Sequence, residues 1–107
     1  MSDICFVYDP RLGIPIPRLE RDWESYSAEE QAEAVMRWEQ IRSAIPDRIL
    51  ELEQLIRGKL ELLGREEHFP TCCRINEEIA ELAGIINELN LWYRVQPELI
   101  EDVRFHD

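Results

Sequence analysis

The sequence predicts a mainly α-helical protein built on an antiparallel helical hairpin. Apolar residues recur every three or four positions along two segments, which a short stretch containing Gly and Pro separates. Residues three and four apart lie on one face of an α-helix, and a face that repeats every 3.5 residues packs against another helix. The repeat consists of Val35, Trp38, Ile41, Ile45, Ile49, Leu52, Ile56, Leu60 and Leu63, and then Ile75, Ile79, Leu82, Ile86, Leu89 and Tyr93.

The N-terminal residues 1–26 are predicted to form an extended arm that lies against the helices. Residues 4–8 have the aromatic and β-branched content of a short strand. Pro15 and Pro17 exclude a helix or a central strand, because each removes a backbone amide donor. With 107 residues in all, the chain 1–107 has the size of a single domain.

The first helical segment is predicted over residues 27–63. Ser27 and Glu30 have the spacing of a capping box, which marks the N-terminus of a helix. Pro46 interrupts the backbone hydrogen bonding, but the apolar repeat keeps its phase across it. The segment is therefore either one kinked helix or two nearly collinear helices.

A turn is predicted over residues 64–71 and a second helix over residues 72–95. Gly64 suits the left-handed residue that often closes a helix, and Thr71 suits an N-cap. The remaining residues 96–107 form a C-terminal tail. Within it Val103 and Phe105 alternate with polar residues, so residues 99–107 could pair as a strand with residues 4–8.

The charge of the chain limits its partners. There are 23 Asp and Glu residues against 12 Lys and Arg residues, and the formal net charge is −11. Direct contact with nucleic acid or with an anionic membrane requires a positive face, so we expect neither. A protein partner with a basic surface is compatible with this charge. The acidic residues cluster near the first helix and in the tail, at Glu20, Asp22, Glu24, Glu29, Glu30 and Glu33, and at Glu98, Glu101, Asp102 and Asp107.

The three cysteines favour a cytoplasmic protein. An odd number of cysteines, with Cys72 and Cys73 adjacent, does not fit a secreted disulfide framework. The first eight residues also lack the basic flank and the apolar length of a signal peptide, and no segment is long and apolar enough to span a membrane.

The candidates for a chemical site are His68, Cys72 and Cys73. The two cysteines lie at the predicted N-terminus of the second helix, where backbone amides and the helix dipole favour a thiolate, and His68 is four residues before Cys72. Adjacent side chains on a helix point in different directions, however, and a zinc site needs four convergent ligands. We therefore predict no metal and no cofactor, and expect one cysteine to pack as a small apolar residue beside Ile75 and the other to be incidental.

The apolar faces of the two predicted helices are wider than the contact between two helices requires. Leu55 and Leu62 extend the face of the first helix, and Ile85 and Trp92 extend the same flank of the second. Leaving such side chains in water costs about 1.5–3 kcal/mol each. The N-terminal arm, residues 27–45 folded back or a second copy of the chain could cover them. We favour the second copy, so these four residues are the predicted interface of a homodimer in which two hairpins form a helical bundle.

The sequence predicts a small cytosolic interaction, regulatory or assembly module and no catalytic activity. One alternative is a thiol-dependent redox or metal-binding protein that uses His68, Cys72 and Cys73. A second alternative, suggested by the net charge alone, is an acidic mimic that blocks the basic groove of a nucleic-acid-binding protein.

Overall fold

The computed structural model describes residues 4–95 and confirms the mainly helical class. The predicted tail 96–107, and with it the predicted strand at residues 99–107, lies outside the described residues. In chain order the elements are β1 (Cys5–Asp9), β2 (Ile14–Arg18), a 3-10 turn (Trp23–Ser25), α1 (Ala28–Ser43), α2 (Ile45–Arg65) and α3 (Phe69–Tyr93).

The N-terminal segment is a β-hairpin and not the extended arm expected from the sequence. The predicted strand at residues 4–8 is confirmed as β1, which pairs antiparallel with β2 so that Asp9 is opposite Ile14. The Asp9 carboxylate accepts hydrogen bonds from the amides of Arg11 and Leu12, at 2.9 and 3.1 Å, and shapes the turn. The prolines of β2 are tolerated because both strands of a two-stranded sheet are edge strands.

The segment after β2 is held by Tyr26, which is buried. The Tyr26 hydroxyl accepts hydrogen bonds from the amides of Glu20 and Arg21, both at 3.1 Å. The Arg21 guanidinium lies 4.3 Å from the centre of the Tyr26 ring, within the range of a cation–π contact. These contacts hold the chain next to the start of α1.

The predicted helix over residues 27–63 is two helices that meet at Ala44. The capping box is confirmed, because Ser27 Oγ accepts from the Glu30 amide and the Glu30 carboxylate accepts from the Ser27 amide. Pro46 lies in the first turn of α2, where its missing amide donor costs nothing. Two collinear helices over residues 28–65 would be about 57 Å long, and the longest extent of the molecule is 60 Å. Residues 28–65 therefore form one long helical stretch that is bent where α1 and α2 meet at Ala44.

The turn between α2 and α3 is shorter than predicted. Gly64 is helical rather than left-handed, α2 continues to Arg65, and the loop consists of residues 66–68 only. Thr71 is not the N-cap, since α3 already begins at Phe69 and His68 occupies the cap position. Proline in the first turn of a helix loses no helical hydrogen bond, so Pro70 is accommodated directly after Phe69 at the start of α3.

The core lies where α1, α2, α3 and the β-hairpin meet. Its most buried side chains are Leu12, Trp38, Ile45, Leu52 and Leu89, each with a relative exposure of 2% or less. The antiparallel contact of α2 with α3 continues beyond this core towards the loop, where Lys59 and Glu78 form an ion pair at 3.1 Å. The β-hairpin is attached to α2 by Arg48, which donates to the carbonyl of Leu12 at 3.0 Å.

Candidate interaction surface

The candidate chemical residues lie in the loop between α2 and α3 and in the first turns of α3. The contacts of His68 and Cys72 are with residues nearby in the sequence. His68 Nδ1 is 2.8 Å from Thr71 Oγ1, within one turn of the chain. The half-buried Cys72 thiol donates to the carbonyl of Glu66 at 3.5 Å, whereas Cys73 is exposed. Among residues 4–95 no group of three or more His, Cys, Asp or Glu side chains is arranged to hold a metal ion.

Thiol or metal chemistry at His68, Cys72 and Cys73 therefore stays a prediction. The zinc content of the protein and the stability of a cysteine variant test it directly. The purified wild-type chain should contain no zinc, and replacing Cys72 with Ser and Cys73 with Ala should cost no more than a packing defect of about 1–3 kcal/mol. Stoichiometric zinc in the wild-type chain would favour the metal-binding alternative.

Two of the four predicted interface residues are exposed and the other two are at least half-buried. Leu55 and Leu62 are exposed, at 52% and 53%. Ile85 is buried in the same cluster as Leu12 and Ile14 of the β-hairpin. The half-buried Trp92 ring packs edge-on against Trp38, with 5.7 Å between ring centroids. At Ile85 and Trp92 the cover is therefore supplied by the chain's own β-hairpin and α1, while an interface at Leu55 and Leu62 stays a prediction.

Long-range polar contacts hold this cover in place. Arg11, in the turn between β1 and β2, forms an ion pair with Glu88 of α3, which also raises the Arg11 pKa. Trp38 Nε1 donates to the carbonyl of Val95 at 3.0 Å, and Arg42 Nε donates to the carbonyl of Tyr93 at 2.7 Å. The C-terminal end of α3 is thereby attached to α1 and to the β-hairpin.

The opposite end of the helical hairpin has no such cover. We use the name distal arm for residues 53–74, which comprise most of α2, the loop and the start of α3. All of these residues are described, and none of them is buried. The large apolar side chains that the distal arm exposes are Leu55, Leu60, Leu62 and Phe69, the last at 75%.

A shallow groove of about 390 Å³ lies between β1 and α1. Its apolar lining includes Phe6, Ala34 and Met36, and its charged side chains are Glu33 and Arg37. The Arg37 guanidinium is 5.9 Å from the centre of the Phe6 ring. Glu33 and Arg37 are four residues apart on α1, so the groove carries one charge of each sign.

The chain matches no protein-family model, and comparisons with curated proteins and with solved structures likewise find no match. Among residues 4–95, no helix is long and apolar enough to cross a membrane. The cytoplasmic location stays a prediction from the sequence.

Sequence analysis missed two exposed apolar residues of α3, Phe69 and Leu91. Neither residue belongs to the apolar repeat that faces α2, so that repeat does not predict their exposure. The signal that could have found them is a second repeat on the outer side of the same helix.

Proposed function

We propose that this chain is a small interaction or assembly module without catalytic activity, which forms a homodimer and offers its distal arm to other proteins. The observation that carries the proposal is the distal arm itself. It is a two-helix layer of 22 residues, 53–74, in which no residue is buried, and it exposes four large apolar side chains. Exposed apolar patches on soluble proteins commonly mark interaction sites.

Two features support binding over catalysis. The candidate residues at the loop between α2 and α3 use their polar atoms in local hydrogen bonds. The chain as a whole is acidic, with a formal net charge of −11, and the exposed leucines lie among side chains of both signs, such as Glu61 and Arg57. The net charge favours a partner with a basic surface, because the two potentials are then complementary.

Self-association has a direct test. Light scattering at micromolar concentration should report twice the chain mass of 12.7 kDa, with dissociation on dilution. Burial of apolar area is the main favourable term in such association, and raised salt should screen the repulsion between two chains of net charge −11. A monomer at every accessible concentration would contradict the homodimer, while the distal arm would still be exposed to a different protein.

The alternative function, an acidic mimic, also depends on the negative charge of the chain. Its partner would be the basic groove of a nucleic-acid-binding protein. It requires that binding to a basic groove weakens steeply with salt, since charge rather than apolar contact would then supply the affinity. Replacing Leu55 and Leu62 with Gln distinguishes the two. An interaction centred on the distal arm should be lost in this variant, whereas a charge-driven interaction should keep its affinity.

A further inference from the structure

The outer side of α3 carries a second repeat, directed away from α2. Seven exposed residues follow one another at spacings of 4, 3, 4, 4, 3 and 4. At 3.6 residues per turn they fall within a sector of about 80°, opposite the buried Ile75, Ile85 and Leu89. We call this set the α3 seam, and its members are Phe69, Cys73, Asn76, Ala80, Gly84, Asn87 and Leu91.

The α3 seam is uncharged in a chain in which 33% of the residues are charged. α3 contains five charged residues, and every one lies outside the seam: Arg74, Glu77, Glu78, Glu81 and Glu88. Two copies that meet through the seam therefore place no charged side chain at the centre of the contact, and the exposed Glu77 lies at its edge.

The seam has a large residue at each end and smaller residues between them. Phe69 and Leu91, exposed at 75% and 54%, are the large residues at its two ends. The residues near its middle are small, and a Cβ added at Gly84 would meet no atom within 4 Å. Reversing the helix about Ala80 exchanges Phe69 with Leu91 and Cys73 with Asn87, so the seam is complementary to a reversed copy of itself. Small central residues allow two helix axes to approach to about 8 Å.

Charges at the ends of α3 fit the same arrangement. The exposed Arg94 follows the C-terminus of α3, and the acidic Glu66 and Glu67 precede its N-terminus. In an antiparallel pair, Arg94 of each copy comes next to the acidic loop of the other. A parallel pair would place Arg94 against Arg94 and would also align the two helix dipoles unfavourably.

We propose that two copies of this chain pair through the α3 seam, antiparallel about a two-fold axis at Ala80. The proposal rests on the homodimer proposed above and assigns the face that forms it. The four long helices of the dimer then lie in one layer, with both α3 helices in the centre and α2 on each outer side. Of the exposed apolar residues of the distal arm, Phe69 is then used in the dimer, whereas Leu55, Leu60 and Leu62 remain accessible to a different protein.

Disulfide cross-linking tests the face and the register. Cys5, Cys72 and Cys73 are first replaced with Ser, and the Ala80→Cys substitution is then added. The two introduced thiols, facing each other across the two-fold axis, are within the Cα separation that a disulfide requires, so mild oxidation should convert most of the protein to a covalent dimer. Gln54→Cys, on the exposed outer side of α2, is the matched control and should stay uncross-linked.

The direction of pairing is tested with Cys73. In the antiparallel register two Cys73 residues are separated by 14 residues along the helices, about 21 Å, and cannot form a disulfide. With Cys5 and Cys72 replaced by Ser, Cys73 alone should give no cross-link, whereas adding Asn87→Cys should produce one. Efficient cross-linking through Cys73 alone would mean a parallel pair and would overturn the proposed register.

Charge placed on the seam provides an independent test by mass. Ala80→Glu should shift the light-scattering mass from dimer to monomer, and Gln54→Glu, which adds the same charge on α2, should leave the dimer unchanged. Residue 80 is exposed in α3 and Glu is a good helix former, so circular dichroism should show an intact helix content. A dimer that tolerates Ala80→Glu and cross-links through Leu62→Cys would refute the seam while the homodimer stands, and a monomeric wild type would refute both.

Discussion

Ser27 and Glu30 show how two residues determine the start of a helix. Each side chain accepts a hydrogen bond from the backbone amide of the other, at 3.1 and 3.0 Å. The bond from the Ser27 amide favours the carboxylate form of Glu30 and lowers its pKa, and the Ser27 hydroxyl and Arg21 add to the effect. This exposed pair was predictable from sequence because it depends on residues three positions apart and on nothing distant.

The lowered pKa makes the contribution of this cap dependent on pH. A carboxyl group whose pKa is lower in the folded chain stabilises the fold above its unfolded pKa, and this stabilisation is lost as the pH falls through the folded pKa. Glu30→Gln should therefore unfold more easily than the wild type near neutral pH, and the difference should vanish in acid. Denaturant unfolding of both proteins across this pH range measures it. Glu33→Gln, outside the capping box, should show no such convergence.

Gly13 is the one glycine of the described chain at which the backbone requires glycine. Its φ of +79° lies in the left-handed region, and an added Cβ would overlap the Arg48 guanidinium. Gly13→Ala should destabilise the fold by about 1–3 kcal/mol, because it strains the backbone and displaces the Arg48 bond to Leu12. Gly64→Ala, in open space on α2, should instead stabilise by about 0.5–1 kcal/mol. Thermal unfolding of the two variants compares them, and equal shifts would contradict the structure.

At the scale of elements, the apolar repeat identified both helices of the hairpin but not their limits. α3 begins three residues before the predicted position 72, and α2 ends two residues after position 63. The errors have a local cause, since Gly64 and Pro70 are compatible with a turn as well as with a helix. Packing of Leu63 and Ile75 between α2 and α3, where both are at least half-buried, favours the helical alternative.

Burial varies from position to position along the repeats of the two helices, and this predicts a graded mutational response. Leu52 is exposed by only 1%, whereas Ile79 is half-buried. Leu52→Ala should cost about 2–5 kcal/mol, the usual penalty for emptying a buried aliphatic site, and Ile79→Ala should cost less because water already reaches it. Equilibrium unfolding in urea measures both losses. A larger loss at Ile79 would place the core nearer the loop than the structure does.

At the scale of the whole molecule, a β-hairpin completes the core of the helices. Leu12 is 2% exposed although it lies in a turn, and it belongs to one buried cluster with Trp38, Leu52 and Leu89. Loop residues are usually exposed, so burial of this kind indicates that the β-hairpin and the helices form one cooperative unit.

Replacing Leu12 tests this cooperativity. Leu12→Ala should lower the free energy of unfolding by about 2–5 kcal/mol, as a core substitution does. Helix content measured by circular dichroism and the environment of Trp38 measured by fluorescence should be lost together in the variant and in the wild type. Val7→Ala, at an exposed site of β1, is the control and should have little effect. Separate transitions would mean that the β-hairpin is only loosely attached.

The sequence by itself determined the helical class, the antiparallel hairpin and the capping box, because each depends on spacings of three to seven residues along the chain. Only the tertiary structure decided which flank of the hairpin is covered. That outcome depends on contacts between residues 36 and 77 positions apart, from Arg48 to Leu12 and from Arg11 to Glu88. Periodicity shows that an apolar face must be buried. Which element buries it depends on contacts between residues far apart in the sequence, and such contacts leave no local sequence pattern.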